Sequence, residues 1–330
     1  MKPIFRHIAK GITAVVALIA VSATADAQID AQFSQYYEVP SYYNPAAIGN
    51  GDLLRIRAGS RIQWVGIPKA PLTFVGVADM PVKLGSQRLG VGVMLQQESV
   101  GLYRSMNAGA QIGYKRKLFG GVLTIGAQVG LLDETFKGSE VKLVDGDDYH
   151  QGTDDAIPTT DIHGTAFDVA AGIFYSHPKF WVGVSGTHLT EPTVKLDTEG
   201  STASESAYEF QAGRALYFMA GSNIPLKNTL FELQPSVFVK TDLSQFVGEA
   251  NIRVRYNKFL IGGVGYRYND AVIATIGAEY KNLFIGYSYD YPLSAISKAS
   301  SGSHEVFAGY SLKLDFSEKN KNKHKSIRIM

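Results

Sequence analysis

Cysteine is absent from the 330-residue chain. That excludes disulfides, thiolate metal sites, a cysteine nucleophile and a lipid-modified N-terminal cysteine. Charge is scarce too: Asp, Glu, Lys and Arg make up 19%, below the roughly 25% of ordinary soluble domains. Long apolar runs are missing after the first two dozen residues. With a mean hydropathy of −0.03, this rules out a polytopic helical membrane protein. Disorder is ruled out by a hydrophobic content of 45%, too high for a chain that cannot bury a core. What the chain does have is 34 Gly, 18 Tyr and 17 Phe.

The first segment sets the compartment. Lys2, Arg6 and Lys10 precede an apolar stretch from Gly11 to Val21, and Ala25-Asp26-Ala27 is a small-x-small cleavage site. This is the pattern of a secretory signal peptide over residues 1–27, with Gln28 as the expected mature N-terminus. A membrane anchor would need about 20 apolar residues. Residues 1–27 carry three basic side chains and one acidic, so the whole formal charge of +2 lies there. The mature chain is expected to be near neutral. An exported chain without a second apolar run is soluble, surface-attached or an outer-membrane barrel.

Periodicity separates these. From Asp52 onward the period is two, that of a strand. Ala308, Tyr310, Leu312 and Leu314 alternate with Phe307, Gly309, Ser311 and Lys313. Leu283, Ile285, Tyr287, Tyr289 and Tyr291 alternate with Phe284, Gly286, Ser288 and Asp290. Ala250, Ile252, Val254 and Tyr256 alternate with Asn251, Arg253, Arg255 and Asn257. A soluble sandwich also alternates. Here, however, the apolar strips end in Tyr or Phe, as an aromatic girdle at a lipid interface requires. The opposite face mixes Gly with charge, as a barrel interior does. The expectation is an all-β transmembrane outer-membrane β-barrel of about 14 antiparallel strands.

The expected strands are 52–65, 72–81, 88–97, 104–117, 120–133, 164–176, 179–188, 207–224, 229–241, 247–256, 258–268, 270–280, 282–291 and 303–316. Tight turns are expected around Asn257, Asn269 and Lys281-Asn282, because Asn tolerates left-handed geometry. Residues 134–163 and 189–206 read as long loops, the first rich in Asp (Asp145, Asp147, Asp148, Asp154, Asp155). The layout is a signal peptide (1–27), an N-terminal periplasmic strap or plug (28–51), a barrel (52–316) and a basic periplasmic tail (317–330).

Candidate sites follow from these segments. Residues 28–51 are rich in aromatics where disordered leaders are poor in them. Phe33, Tyr36, Tyr42, Tyr43, Asn44 and Pro45 are therefore candidates for a plug or a partner-binding strap. Asn44-Pro45 reads as a cap with Pro at the first position of a short turn. Lys240, Arg253, Arg255, Arg267 and Glu279 fall on the lumen face, either paired into a structural network or lining an ion path. Burial of charge favours pairing. Lys319, Lys321, Lys323, Lys325 and Arg328 give the tail a net +4, suited to an acidic periplasmic partner or anionic lipid, or simply solvated. The acidic loop lacks the Gly and Glu of an EF-hand, so a solvated loop is favoured over a Ca²⁺ site. His188 and His304 are expected to cap turns by hydrogen bonding. His304 adjoins Ser303 and Glu305, but neighbouring strand residues face opposite ways. No hydrolase, zinc or phosphate-loop motif is present, so no enzyme activity, cofactor or metal is expected, nor any nucleic-acid partner.

The segment Asp30-Ala31-Gln32-Phe33-Ser34-Gln35-Tyr36 with Tyr42-Tyr43-Asn44-Pro45-Ala46 resembles the N-terminal signature of the PorP/SprF family of Bacteroidetes. The resemblance continues through Arg61-Ile62-Gln63-Trp64-Val65-Gly66, Pro71-Leu72-Thr73 and His188-Leu189-Thr190-Glu191-Pro192. It resumes at Leu233-Gln234-Pro235-Ser236, Gly265-Tyr266-Arg267-Tyr268 and Asp270-Ala271, and closes with Ile285-Gly286-Tyr287-Ser288-Tyr289-Asp290 and Gly302-Ser303-His304-Glu305. It implies a non-enzymatic outer-membrane component of the type IX secretion system. Such a component supports secretion or surface attachment of cargo, gliding adhesins among them. The implied partners are outer-membrane lipid, periplasmic ring or peptidoglycan-linked components, and a secreted cargo protein. The alternative reading is a general diffusion porin.

Overall fold

Alternation of apolar and polar residues produces a closed meander in the computed structural model, which describes residues 30–85, 87–142, 157–197, 208–227 and 229–314. The barrel strands are β1 Leu53–Ile62, β2 Leu72–Leu84, β3 Gln87–Val100, β4 Tyr103–Leu118, β5 Gly121–Lys137, β6 Asp161–Ser176 and β7 Phe180–Thr187. They continue as β8 Ala215–Ser222, β9 Phe231–Thr241, β10 Phe246–Tyr256, β11 Leu260–Arg267, β12 Ala271–Tyr280, β13 Leu283–Pro292 and β14 Ser303–Lys313. Each pairs antiparallel with its sequence neighbours, and β1 pairs with β14 from Leu53↔Lys313 to Ile62↔His304, so no edge is left open. Closure is what hydrocarbon demands of a sheet, since an unpaired strand edge has no water to bond to. Among the described residues no helix is long and apolar enough to cross a membrane.

The two faces sort as the sequence predicts. Ile252, Ile276, Ile285 and Val264 are all more than half exposed on the outside of the wall. Outward Tyr114, Phe180, Tyr256, Tyr280 and Tyr310 ring one end, and Phe74, Phe246, Tyr266 and Tyr291 ring the other. These are the two girdles of a membrane barrel. The first end carries tight turns, with Asn257, Lys258 and Lys281 in left-handed backbone. The second carries the long connections, together with the Asn269 turn. In outer-membrane barrels the short turns face the periplasm.

Three expectations change. The span 207–224 is not one strand. Tyr208–Gln211 turns away to pair with Thr193–Leu196 as a separate hairpin, and only Ala215–Ser222 joins the wall. Val194 and Leu196 pack there on Leu132 and Ile162, a second small core that a local pattern cannot distinguish from barrel packing. The segment 189–206 is accordingly not all loop. The loop expected over 134–163 is also shorter, because β5 runs on to Lys137 and β6 starts at Asp161. β3 to β6, at 14–17 residues, exceed the roughly 9–11 that cross a bilayer, so the wall stands taller on this side. The segment expected to be a signal peptide (1–27), the acidic residues 145–155 and the basic tail lie outside the described residues.

Candidate functional site: a filled lumen

Wall side chains alone do not fill a barrel of this size, and the chain supplies its own filler. Asp30 to Asn50 runs down the inside, starting beside His188 at the long-loop end and ending where the Gly49 N–H meets Asp79. Short turns make the segment compact. Tyr36–Glu38 forms a 3₁₀ turn, and Pro40–Tyr43 a single helical turn with Pro at its first position, where the missing N–H costs nothing. The Asn44 side chain then accepts from the Ala46 N–H at 2.9 Å and caps Pro45–Ala47. Its amide also donates to the Ile173 and Val184 carbonyls at 3.1 and 3.3 Å, so the cap grips the wall.

The predicted plug residues lie together inside. Phe33, Tyr36, Tyr43, Asn44 and Pro45 are fully or almost fully buried, and Tyr42 is 7% exposed. Phe33 meets Phe307 edge-on at 5.5 Å between ring centroids, and Tyr43 meets Phe238 at 4.7 Å. Two wall glycines make room. A methyl at Gly126 would sit 2.5 Å from Ala46 Cα, and one at Gly172 would collide with Asn44 Oδ1. The glycine excess in the composition thus serves partly for close backbone approach.

Charge secures this segment at three levels. In the middle, Arg61 pairs with Asp290 at 2.8 Å and Glu305 at 3.2 Å, while Arg267 pairs with Glu249 at 2.8 Å and Asp290 at 3.0 Å. The Glu305 carboxylate also accepts from the Ser34 and Gln35 N–H groups at 2.9 and 2.8 Å. Nearer the short-turn end, Glu38 bridges Arg57 and Arg253 at 3.4 and 3.2 Å, with the Arg253 guanidinium 3.3 Å above the Tyr37 ring. At the outer end Asp30 takes bonds from Thr187, Tyr217 and His188, and the Lys240 ammonium donates to the Asp30 carbonyl at 2.6 Å. Buried charges persist only when paired and hydrogen-bonded in this way.

His188 stands just beyond β7 with Nε2 3.1 Å from Asp30 and Nδ1 3.0 Å from Asp168, an ion pair rather than an aligned hydrogen bond at the second contact. Burial opposes its charge, but the two carboxylates outweigh burial and push its pKa up to about 10. Instead of capping a turn, it clamps the start of the plug to β6. His304 accepts or donates at Nδ1 with Tyr287 Oη, 2.7 Å away.

Of the expected lumen charges, Lys240, Arg253 and Arg267 reach the plug or its network. Arg255 pairs with Glu232 at 2.8 Å and Glu279 at 3.5 Å, a separate wall group. Arg61, Glu249, Asp290 and Glu305 are not among the lumen charges the sequence singles out, although each lies on the inward phase of its strand. Glu38, inside an aperiodic segment, gave no such signal. Among the described residues no cluster of His, Asp or Glu is arranged to hold a metal.

Above the plug, at the long-loop end, lies a chamber of about 1110 Å³ between β3, β4, β5 and the hairpin, with Asp30 and His188 at its base.

Residues 25–310 match the family described as type IX secretion system membrane protein PorP/SprF. The chain belongs to this family. Comparison with curated proteins gives no match. Solved barrels are similar only distantly. The Ralstonia pickettii toluene transporter TbuX is 11% identical with a TM-score of 0.48, over 84% of this chain and 94% of that one. Omp33 of Acinetobacter baumannii is 8% identical with a TM-score of 0.43, over 79% and 97%. The translocator domain of the autotransporter NalP from Neisseria meningitidis is 12% identical with a TM-score of 0.42, over 85% and 95%. In this PorP/SprF protein the resemblance motifs converge in space. Ser34, Arg61, Arg267, Asp290 and Glu305 come from five separate stretches of chain and meet in one network around the plug.

Proposed function

We propose that this PorP/SprF protein is a non-enzymatic, plugged outer-membrane anchor of the type IX secretion system. Its signal peptide is cleaved on export. The long-loop end faces the cell surface, where secreted cargo, gliding adhesins included, would be engaged. The short turns and the basic tail (317–330) face periplasmic ring or peptidoglycan-linked components. The observation that carries this reading is the filled lumen. A diffusion porin keeps an aqueous path, whereas here the Asp30–Asn50 segment occupies the axis and is bonded to the wall at every level. A closed barrel presents two fixed surfaces, one on each side of the membrane, and scaffolding needs just that.

The experiment is affinity capture of the native protein from detergent-solubilised outer membranes, with mass spectrometry, alongside comparison of culture supernatants from cells with and without it. Co-capture of secretion-machine components and loss of particular secreted proteins are expected. Recovery of the barrel alone, with an unchanged supernatant, would sink the proposal.

A further inference from the structure

Apart from Asp30 and His188 at its base, the outer chamber lies away from the contacts that hold the plug, and its wall chemistry is one-sided. The β3–β4–β5 register aligns Glu98 with Ser105 and Ser105 with Glu134 in one inward row. Gln96 faces Asn107 in the row beneath. Glu134 accepts from Ser105 at 2.6 Å, and Glu98 from Thr73 at 3.2 Å. Neither carboxylate forms an ion pair with any described residue. Glu134 is 4% exposed, a degree of burial at which carboxylates are ordinarily matched by a cation. Among the described residues the chamber lining includes no Lys or Arg, and the His found there is already held between Asp30 and Asp168.

A second observation is independent of charge. Asn107 lines the chamber and is 7% exposed, yet its Oδ1 has no hydrogen-bond partner. A buried acceptor left without a donor costs about 1–3 kcal/mol. Around these acceptors the wall is apolar, with Leu102, Tyr103, Leu132, Phe136 and Phe210. Apolar walls with a few convergent polar groups are how ligand pockets are built, usually within about 300–1,000 Å³.

The geometry points to a binding site for an ammonium or guanidinium group carried on an apolar body. The cation sits between Glu98 and Glu134, a further N–H reaches Asn107 Oδ1, and the apolar part lies against the aromatic and aliphatic wall. Anions are disfavoured, because the described lining offers acceptors and no Lys or Arg. Two sources share this chemistry: a free hydrophobic amine, or a Lys or Arg side chain within an apolar peptide.

The test uses the purified full-length protein in detergent, with binding measured by calorimetry. The probes are 4-phenylbutylamine, the matching carboxylate 4-phenylbutanoate, and the blocked peptide acetyl-Leu-Lys-Phe-amide. The expected result is binding of a cationic probe and none of the carboxylate, with affinity falling as salt is raised. A tighter fit for the amine assigns a free small molecule, and a tighter fit for the peptide assigns a side chain. Glu134→Gln and Asn107→Leu should each weaken the cation about tenfold or more, the loss of one charge-assisted or buried hydrogen bond. Glu98→Lys should reverse the preference toward the carboxylate, a gain that a misfolded barrel would not show. Equal binding of amine and carboxylate, cation binding unchanged in Glu134→Gln, or no binding of either cationic probe would overturn the assignment.

Discussion

Removing the plug should convert this barrel into a pore, while breaking its main tether should not. With strands about 4.8 Å apart and tilted by about 40°, fourteen of them enclose a cylinder roughly 28 Å across at the backbone. Side chains alone fill an eight-stranded barrel, whereas 16 to 18 strands leave an aqueous channel. Fourteen lies close to the second case, so deletion of residues 30–50 should leave a conducting lumen. The tether is weaker than the packing. Phe33, Tyr36, Val39, Tyr43 and Ile48 are all 0% exposed. Burying each contributes about 1.5–3 kcal/mol, roughly 10 kcal/mol together. Glu305 holds the segment through two backbone N–H groups, worth about 1.5–3 kcal/mol each as bonds to a charged group. Glu305→Gln should therefore loosen the plug without expelling it. In planar bilayers the deletion should give steady open-channel current, and Glu305→Gln should remain closed like the parent. Heat-modifiable migration on gels would confirm that each barrel is folded. A folded deletion variant that does not conduct, or a Glu305→Gln variant that stays open, would refute the reasoning.

Other outcomes follow from single contacts. Gly126→Val should drive the wall into Ala46 and unseat the turn at Pro45, read as protease sensitivity of the plug; full protection would count against close approach. Glu38→Gln leaves Arg57 and Arg253 without their shared carboxylate and should cost about 3–5 kcal/mol in urea unfolding from detergent. Ile252→Arg, midway along β10 on the outer face, should destabilise the membrane-inserted barrel by about 2–4 kcal/mol and leave plug protection unchanged. His188 has a folded pKa raised to about 10 from an ordinary 6.5. Its contribution is complete below pH 6.5 and is lost as pH rises through 10. Amide protection near Asp30, corrected for the intrinsic base-catalysed exchange rate, should fall over that window, and His188→Gln should abolish that fall.

How much of this was legible beforehand varies with the range of the interaction. The inward phase of β14 could be read from Phe307, Gly309 and Ser311 because alternation is local. The Asn257 and Asn269 turns were legible for the same reason. The hairpin at Tyr208–Gln211 was not, since its alternation matches a barrel strand and only contact with Leu132 and Ile162 places it elsewhere. In the filled lumen, the aromatic content of residues 28–51 marked the segment for burial but not its partners. Ser34 meets Glu305 across 271 residues, and Glu38 meets Arg253 across 215. His188 read as a turn cap because its two carboxylates lie on other segments.

The amino-acid order by itself determined the strand count and the two-faced wall, since a strand's sidedness depends only on which neighbours alternate. Closure decided the rest. Once β1 zips to β14, inward residues far apart in sequence are held within bonding distance of one axis. The aperiodic N-terminal segment, which has no pattern of its own, then becomes the piece that fills the barrel.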